Sequence, residues 1–232
     1  MKDSRDFDEI VVFGARGHSL MILRGLEEYW QGRVRIRALI DDIENGFTHE
    51  GLGVPVISSD RRAQDFASLP VLLTVTNPGL RRRVVNRLQA EDACLATATC
   101  PGVVNIDPDV CFGPGSVCMP WTRIGPAVSF GPCCIVLASI VAHDIEVGAF
   151  STLAGDVLVS GHVKIGEDVN IAPRAVIANG NRQRMIGIGG GAEVGVGAVV
   201  ISNVAPGERV IGNPALPMRD WVRLRRLARQ QD

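Results

Sequence analysis

The chain has 232 residues, 46% hydrophobic and only 5% aromatic, with 24 Lys and Arg against 25 Asp and Glu for a formal net charge of -1. That length holds one large or two modest domains, and the apolar content suits a core of small β-branched residues better than one of large rings. The charge balance excludes a general affinity for nucleic acid or an anionic membrane, and no apolar run reaches the length of a membrane span.

The opening Met1-Lys-Asp-Ser-Arg-Asp-Phe-Asp8 lacks the apolar core of a secretory leader, so a cytoplasmic location is expected. Residues 9–13 then read as a buried strand, followed by Gly14-Ala-Arg16-Gly17-His18-Ser19 and a helix to about Tyr29. A strand, a glycine turn and a helix start present backbone N–H groups and a helix dipole that hold phosphate, and the same glycines also serve a sharp turn without a ligand. His18 either contacts such a phosphate or caps its helix. A second strand over 34–40 ends in Asp41-Asp42. The apolar run Leu52-Gly-Val-Pro55-Val-Ile57, a helix over 59–67, a strand over 71–75 and a helix over 78–90 continue a β/α alternation. Arg81, Arg82, Arg83 and Arg87 read as a solvated helix face. Asn77-Pro78 closes a strand on the same edge as Gly14, and open α/β sheets gather ligands at the carboxyl ends of their strands. Residues 93–105 read as a link.

From Ile106 to about Gly212 the chain keeps a six-residue beat, clearest in Val147-Gly-Ala-Phe-Ser-Thr152, Leu153-Ala-Gly-Asp-Val-Leu158 and Val159-Ser-Gly161-His162-Val-Lys164. An aliphatic residue opens each unit and a small residue usually follows. A hexapeptide period is the signature of a parallel β-helix, each unit being one short strand and a turn. Openers at 106, 112, 118, 124 and 130 keep one phase, those from 141 to 177 a second, and 188, 194, 200 and 206 a third. One residue is therefore missing between 130 and 141, and Asn179 to Gly187 reads as a loop leaving the coil. Six cysteines (Cys94, Cys100, Cys111, Cys118, Cys133 and Cys134) show no Cys-x-x-Cys spacing. They read as reduced packing residues, with Cys118 and Cys134 on inward places of the beat.

Three hexapeptides make one triangular turn, so residues roughly 18 apart stack on adjacent turns, with strands about 4.8 Å apart. His143 then stacks against Gly161, Asp144 against His162, and Asn179 and Gly180 follow one turn on. Loops that interrupt a regular scaffold carry function. The carboxyl end, Val210-Ile-Gly212-Asn213-Pro214-Ala215-Leu-Pro217, closes the coil. A helix from about Met218 to Arg229 caps its open core, with Arg219, Arg223, Arg225, Arg226 and Arg229 mainly solvated or, alternatively, in contact with coenzyme phosphates.

This layout, with the Val11-Val-Phe-Gly14-Ala-Arg-Gly17-His18 segment, resembles the left-handed β-helix hexapeptide-repeat sugar acetyltransferases. Those are the N-acetyltransferases of nucleotide-linked 4-amino-dideoxysugars and the sialic-acid O-acetyltransferases. The resemblance implies a Rossmann-like nucleotide-sugar domain over 1–100, a left-handed β-helix acyltransferase domain over 101–216 and a C-terminal helix over 217–232. It implies acetyl-CoA as co-substrate and a homotrimer with acyl-CoA between neighbouring coils. A nucleotide sugar would meet Gly14, Arg16, Gly17, His18, Asp41, Asp42 and Asn77. The coenzyme would meet Thr152, Gly161, His162, Asn179, Gly180, Gly212, Asn213 and Pro214. Thr152 stands where some members carry a second histidine.

Acetyl transfer to an amine needs a deprotonated nucleophile, a stabilised oxyanion and a departing thiolate. A histidine near its reference pKa of roughly 6.5 is a suitable base at neutral pH. By resemblance, His143 is the general base, Asp144 orients it, and the Gly161 amide donates to the thioester carbonyl, with direct transfer to the acceptor. The stacking offers Asp144 a second partner, His162. The alternatives are sialic-acid-type O-acetylation, a metal hydrolyase on the same coil, and a catalytically silent coil. A three-imidazole zinc site is short of ligands here, since the coil holds only His143 and His162.

Overall fold

The computed structural model describes residues 1–100 and 106–228. The end of the expected link, 101–105, and the expected helix end at Arg229 lie outside the described residues. The first hundred residues supply β1 (Asp3–Ser4), β2 (Glu9–Phe13), α1 (His18–Trp30), β3 (Arg35–Ile40), β4 (Phe47–His49), β5 (Val54–Ile57), α2 (Ser59–Asp65), β6 (Val71–Leu73), α3 (Pro78–Ala90) and β7 (Leu95–Ala96). They form one sheet in the order β1-β7-β6-β2-β3-β5-β4, parallel except for the β4–β5 pair. Central strands of a parallel sheet are covered on both faces, which is why Ile10, Val11 and Val12 run consecutively and are all fully buried. The β4 edge escaped the sequence reading because Phe47–His49 has no alternation, and β1 because two residues carry no period.

The coil has three faces. One stacks Cys111–Phe112, Val128–Phe130, Ile145–Val147, Val163–Ile165 and Ile186–Ile188. The next stacks Val117–Cys118, Ile135–Val136, Thr152–Leu153, Asn170–Ile171, Glu193–Val194 and Arg209–Ile211, closed by antiparallel Leu216–Pro217. The third stacks Arg123–Ile124, Ile140–Val141, Leu158–Val159, Val176–Ile177 and Val199–Val200. Openers of the beat point inward and fill one core, including Cys118, Val141, Leu153 and Ile171. The small second-place residue has a separate reason. A Cβ on Gly148 would lie 2.5 Å from the Glu167 nitrogen of the next turn, so glycine there permits the close stacking of corners.

Register confirms the 18-residue turn, as in Val147 against Ile165, and locates its breaks. Each corner turns through a left-handed residue, and these recur at Ala127, Cys133, Ala138, Asp144, Phe150, Asp156 and His162. The step from Cys133 to Ala138 is the short one. The missing residue therefore lies within the expected interval of 130–141, between Cys133 and Ala138, one corner ahead of His143. The third phase also needs correction: Val204, not Pro206, takes the inward place, bridging Ile188, with Val210 next against Val194. Pro206 is exposed.

The coil and the sheet share packing. Met119 and Leu137 of the coil sit in one cluster with Ile22, Leu26 and Val12. The expectation that Arg81, Arg82, Arg83 and Arg87 form a solvated face holds for Arg83 and Arg87, which are exposed, and is overturned at Arg81, with Arg82 half-buried. Arg81 is 0% exposed and donates to the carbonyls of Val75 (2.7 Å), Thr76 (3.0 Å), Cys133 (2.8 Å), Ser151 (3.2 Å) and Phe150, and to Thr152 Oγ1 (3.0 Å). Burial lowers its pKa to about 10, which leaves it charged at neutral pH. Arg82 pairs with Asp168 at 2.7 Å and lies over the Phe150 ring, and Arg87 pairs with Glu91 at 3.0 Å. The four thiols of Cys100, Cys118, Cys133 and Cys134 are each pushed up to about 12 by burial, which keeps them protonated packing groups. The last helix, α4 (Met218–Ala228), lies against the closing strands. No helix among the described residues is long and apolar enough to cross a membrane.

Replacing Arg81 by Met keeps the apolar stem but strands several buried carbonyls. Chemical denaturation of Arg81→Met is expected to show a loss of about 3 kcal/mol or more.

Candidate active site

The third face ends at Ile140–Val141 and the first resumes at Ile145–Val147, so residues 142–144 form an outward corner. The corner one turn on is 160–162, tied to it by His162 N–H donating to His143 O at 3.1 Å, and the corner after that is tied to 160–162 by Gly180 N–H donating to Gly161 O at 3.0 Å. His143 is about half exposed and its Nδ1 lies 2.7 Å from Asp144 Oδ2. That contact fixes the ring as the Nδ1–H tautomer and leaves the Nε2 lone pair for an outside proton. His162, only 16% exposed, brings its Nδ1 to 3.8 Å from the same carboxylate oxygen, and the two rings meet edge to face with centroids 5.3 Å apart. The His143 hydrogen bond, then the charges of His162, His143 and Arg182, hold the Asp144 carboxyl below its ordinary value.

Gly161 is the reason the ring fits. A Cβ there would lie 2.5 Å from His143 Cε1, 2.7 Å from Nε2 and 2.9 Å from Asn179 Oδ1. Its N–H makes no hydrogen bond among the described residues. The expected loop does leave the coil after Asn179: Val163 pairs with Ile186, 23 positions on, where Ile145 pairs with Val163 at 18. Asn181 Oδ1 accepts from the N–H groups of Gln183 (3.0 Å) and Arg184 (2.9 Å), which makes the loop tip a tight turn. A cavity of about 480 Å³ lies beside the corner, lined among others by Asp109, Ser129, Asp144, Glu146, His162, Arg182 and Met185. A second groove of about 660 Å³ on the other side is lined by Arg123, Ile140, Ala142 and His143. The corner is a ridge between two concavities. Asp109, Arg182 and Met185 were not singled out in the sequence, and only the loop position of Arg182 and Met185 signalled them.

The other expected site residues fall elsewhere. Gly14, Arg16, Gly17, His18, Asp41, Asp42 and Asn77 do gather where β2, β3 and β6 end, at the carboxyl edge of the sheet. Gly14 has φ +126°, and a Cβ there would lie 2.1 Å from Ser19 Oγ, so the turn demands glycine. Gly17 starts α1 without a side-chain cap, and His18 is the first helical residue rather than its cap. Several side chains at this edge are engaged within the protein. Arg16 pairs with Asp41 at 3.2 Å and Glu44 at 2.6 Å. Asp42 accepts from Ser59 N–H at 2.7 Å and Ser59 Oγ at 2.8 Å, and Asn77 caps α3 by accepting from Leu80 N–H at 2.8 Å. Thr152, expected against the coenzyme, is instead 1% exposed, with its hydroxyl donating to Thr76 O at 2.7 Å and accepting from Arg81. It is a joint between sheet and coil. Gly212, Asn213 and Pro214 project from the coil end, bracketed by Val199 N–H to Gly212 O at 2.9 Å and Ala215 N–H to Val199 O at 2.7 Å.

No family model matches the chain. A GDP-perosamine N-acetyltransferase from Escherichia coli is 32% identical over 148 residues, which is 63% of this chain and 66% of that protein. A UDP-3-O-acylglucosamine N-acyltransferase from a Caulobacter species is 32% identical over 83 residues, 36% of this chain and 23% of that protein. The matched stretches therefore span less than two thirds of each curated relative. Among solved structures, the acetyltransferase domain of PglB from Neisseria gonorrhoeae has a TM-score of 0.78 at 26% identity, covering 90% of this chain and 99% of its own. The chain is related to hexapeptide-repeat sugar acetyltransferases. A GDP-perosamine N-acetyl transferase variant from Caulobacter crescentus, solved with CoA and GDP-perosamine, has a TM-score of 0.77 at 21% identity, covering 92% of this chain and 98% of its own. That likeness carries the fold alone.

Gly161→Ala tests the geometry directly. The added methyl is expected to drive the His143 ring off Asp144, seen in imidazole nitrogen NMR as loss of the Nδ1 hydrogen bond, while stability falls by only about 1 kcal/mol.

Proposed function

We propose that this protein is an acetyl-CoA-dependent N-acetyltransferase acting on the amino group of a nucleotide-linked amino-dideoxysugar, by direct transfer with His143 as general base. The observation that carries this reading is the ridge. A direct transfer needs two substrates to reach one base from two sides. The 142–144 corner stands between two grooves, His143 lining one and Asp144 the other, with His143 Nδ1 tied to Asp144 and Nε2 beside Gly161. The acceptor attacks as the neutral amine, its ammonium form having first released a proton to solvent. Nε2 takes one proton from the attacking amine, and Asp144 stabilises the imidazolium that results. The Gly161 N–H then donates to the thioester oxygen as charge develops on it, a contact worth about 3 kcal/mol at the transition state. The nitrogen–carbonyl bond forms, the carbon–sulfur bond breaks, and the proton held by His143 leaves with the coenzyme thiolate.

The four thiols pushed up to about 12 by burial are poor nucleophiles, which favours direct attack over an acyl-enzyme. In this reading residues 1–100 form the Rossmann-like nucleotide-sugar domain, 101–216 the acyltransferase coil and 217–232 the capping helix. His162, Asn179, Gly180 and the Gly212–Pro214 turn line the coenzyme path, and the chain works as a homotrimer. Arg16, now paired with Asp41 and Glu44, exchanges those partners for phosphate when the nucleotide sugar enters.

The test is incubation with acetyl-CoA and a panel of UDP-, GDP- and dTDP-linked amino sugars, with sialic acids as hydroxyl acceptors. A base-stable amide product with free CoA is expected, whereas a base-labile ester would assign O-acetylation. His143→Ala is expected to lower kcat by about a hundredfold or more with little change in KM for acetyl-CoA. Full activity in that variant, or no thiol release with any acceptor, would end the proposal.

A further inference from the structure

We propose that His143, Asp144 and His162 form a binding site for a divalent transition-metal ion, Zn2+ foremost, whose occupancy switches the base off. The site stands on geometry, and its regulatory consequence rests on the acyl-transfer reading above. Both imidazole Nδ1 atoms converge on one oxygen, Asp144 Oδ2, at 2.7 and 3.8 Å, and one ligand atom from each residue lies within 4.8 Å of the others. Two imidazoles and a carboxylate are a common donor set for zinc. Imidazoles alone leave the site a ligand short; the Asp144 carboxylate between the two rings supplies the third.

Tetrahedral zinc with bonds of about 2.0–2.2 Å holds its donors roughly 3.3 Å apart. The shorter contact to Asp144 must open and the longer one close by about half an ångström each. The two imidazole donors, within 4.8 Å of each other, must close by up to about 1.5 Å, a side-chain torsion open to groups 47%, 44% and 16% exposed. The backbone needs no change, because the two corners are already bonded through His162 N–H and His143 O. The fourth position opens toward the 480 Å³ cavity, whose charged lining is Asp109, Glu146 and Arg182 besides Asp144 itself. Lys164 offsets Glu146 at 2.8 Å, so Asp109 and Asp144 face one arginine and the balance favours a cation.

The switch follows from the tautomer. In the metal-free protein the proton sits on Nδ1 against Asp144 and Nε2 carries the lone pair. An ion on Nδ1 moves that proton to Nε2, and no net proton is gained or lost by the ring. Nε2 then presents N–H where acetyl transfer needs an acceptor. The metal stops proton transfer without filling either groove.

The experiment titrates the metal-free full-length protein with Co2+ and follows visible absorption. Intense bands of four-coordinate cobalt with nitrogen and oxygen ligands are expected, lost on adding a single equivalent of Zn2+. His162→Asn and Asp144→Asn, each checked for an unchanged melting curve, are expected to weaken binding about tenfold or more. Variants at sites apart from the corner, His18→Asn, His49→Asn and Cys94→Ser, are expected to bind as the parent does. Zn2+ is expected to inhibit acetyl transfer over the same concentration range, with recovery on chelation. Unchanged cobalt binding in His162→Asn, a thiolate charge-transfer band, or no spectrum at all would overturn the site. Failure of every acceptor with the cobalt spectrum intact would remove the acyl-transfer reading alone, and an active enzyme without the spectrum would remove the metal site alone.

Discussion

Parallel stacking at a fixed register is the constraint on which everything else in the molecule depends. Each corner of the coil hydrogen-bonds to the corner a turn away, so a side chain on one turn has an assigned neighbour on the next. This is why His143 meets Gly161 and Asp144 meets His162, rather than any other pairing the chain permits. A narrow coil also forces its corners close, so the space for an imidazole exists only where the residue above lacks a Cβ. The open ring position is thus a by-product of the same packing rule that sets the small second residue of each unit.

The sheet and the coil are joined by a charge, an unusual choice for a buried seam. Arg81 spends its guanidinium donors on carbonyls of both units and on Thr152, with no carboxylate paired to it among the described residues. Burying a lone cation is costly unless its hydrogen bonds are all made. Here nearly every bond is made to backbone that strand pairing leaves unused, which keeps the seam rigid and specific in register. Arg82 adds an outer clasp to Asp168 across the same joint.

At the corner one carboxylate serves two rings, and that sharing governs the chemistry. The hydrogen bond from His143 is the largest influence on Asp144, and it also sets which nitrogen of the ring faces outward. The base is oriented by its own neighbour in sequence, while the second ring comes from a different turn. Acid–base and metal-binding readings of the corner therefore draw on one geometry and differ in what sits on Nδ1.

The six-residue beat by itself determined the coil, its inward openers, the loop after Asn179 and the meeting of His143 with Gly161, because a strict period converts position directly into height and face. The β/α alternation likewise gave away the central strands and helices, whose apolar runs are long enough to show a pattern. The sequence also carries a signal for the buried arginine: Arg81 opens the stripe Arg81, Val84, Val85 and Leu88, the buried side of α3. Only the tertiary structure decided that this arginine is buried, that Thr152 is a joint, that Asp42 and Asn77 serve helix starts, and between which two corners of the 130–141 interval the lost residue falls. Those facts arise where two units meet or where a side chain chooses among several partners. Periodicity within one segment fixes neither the packing partner nor which hydrogen bonds a polar group will find there.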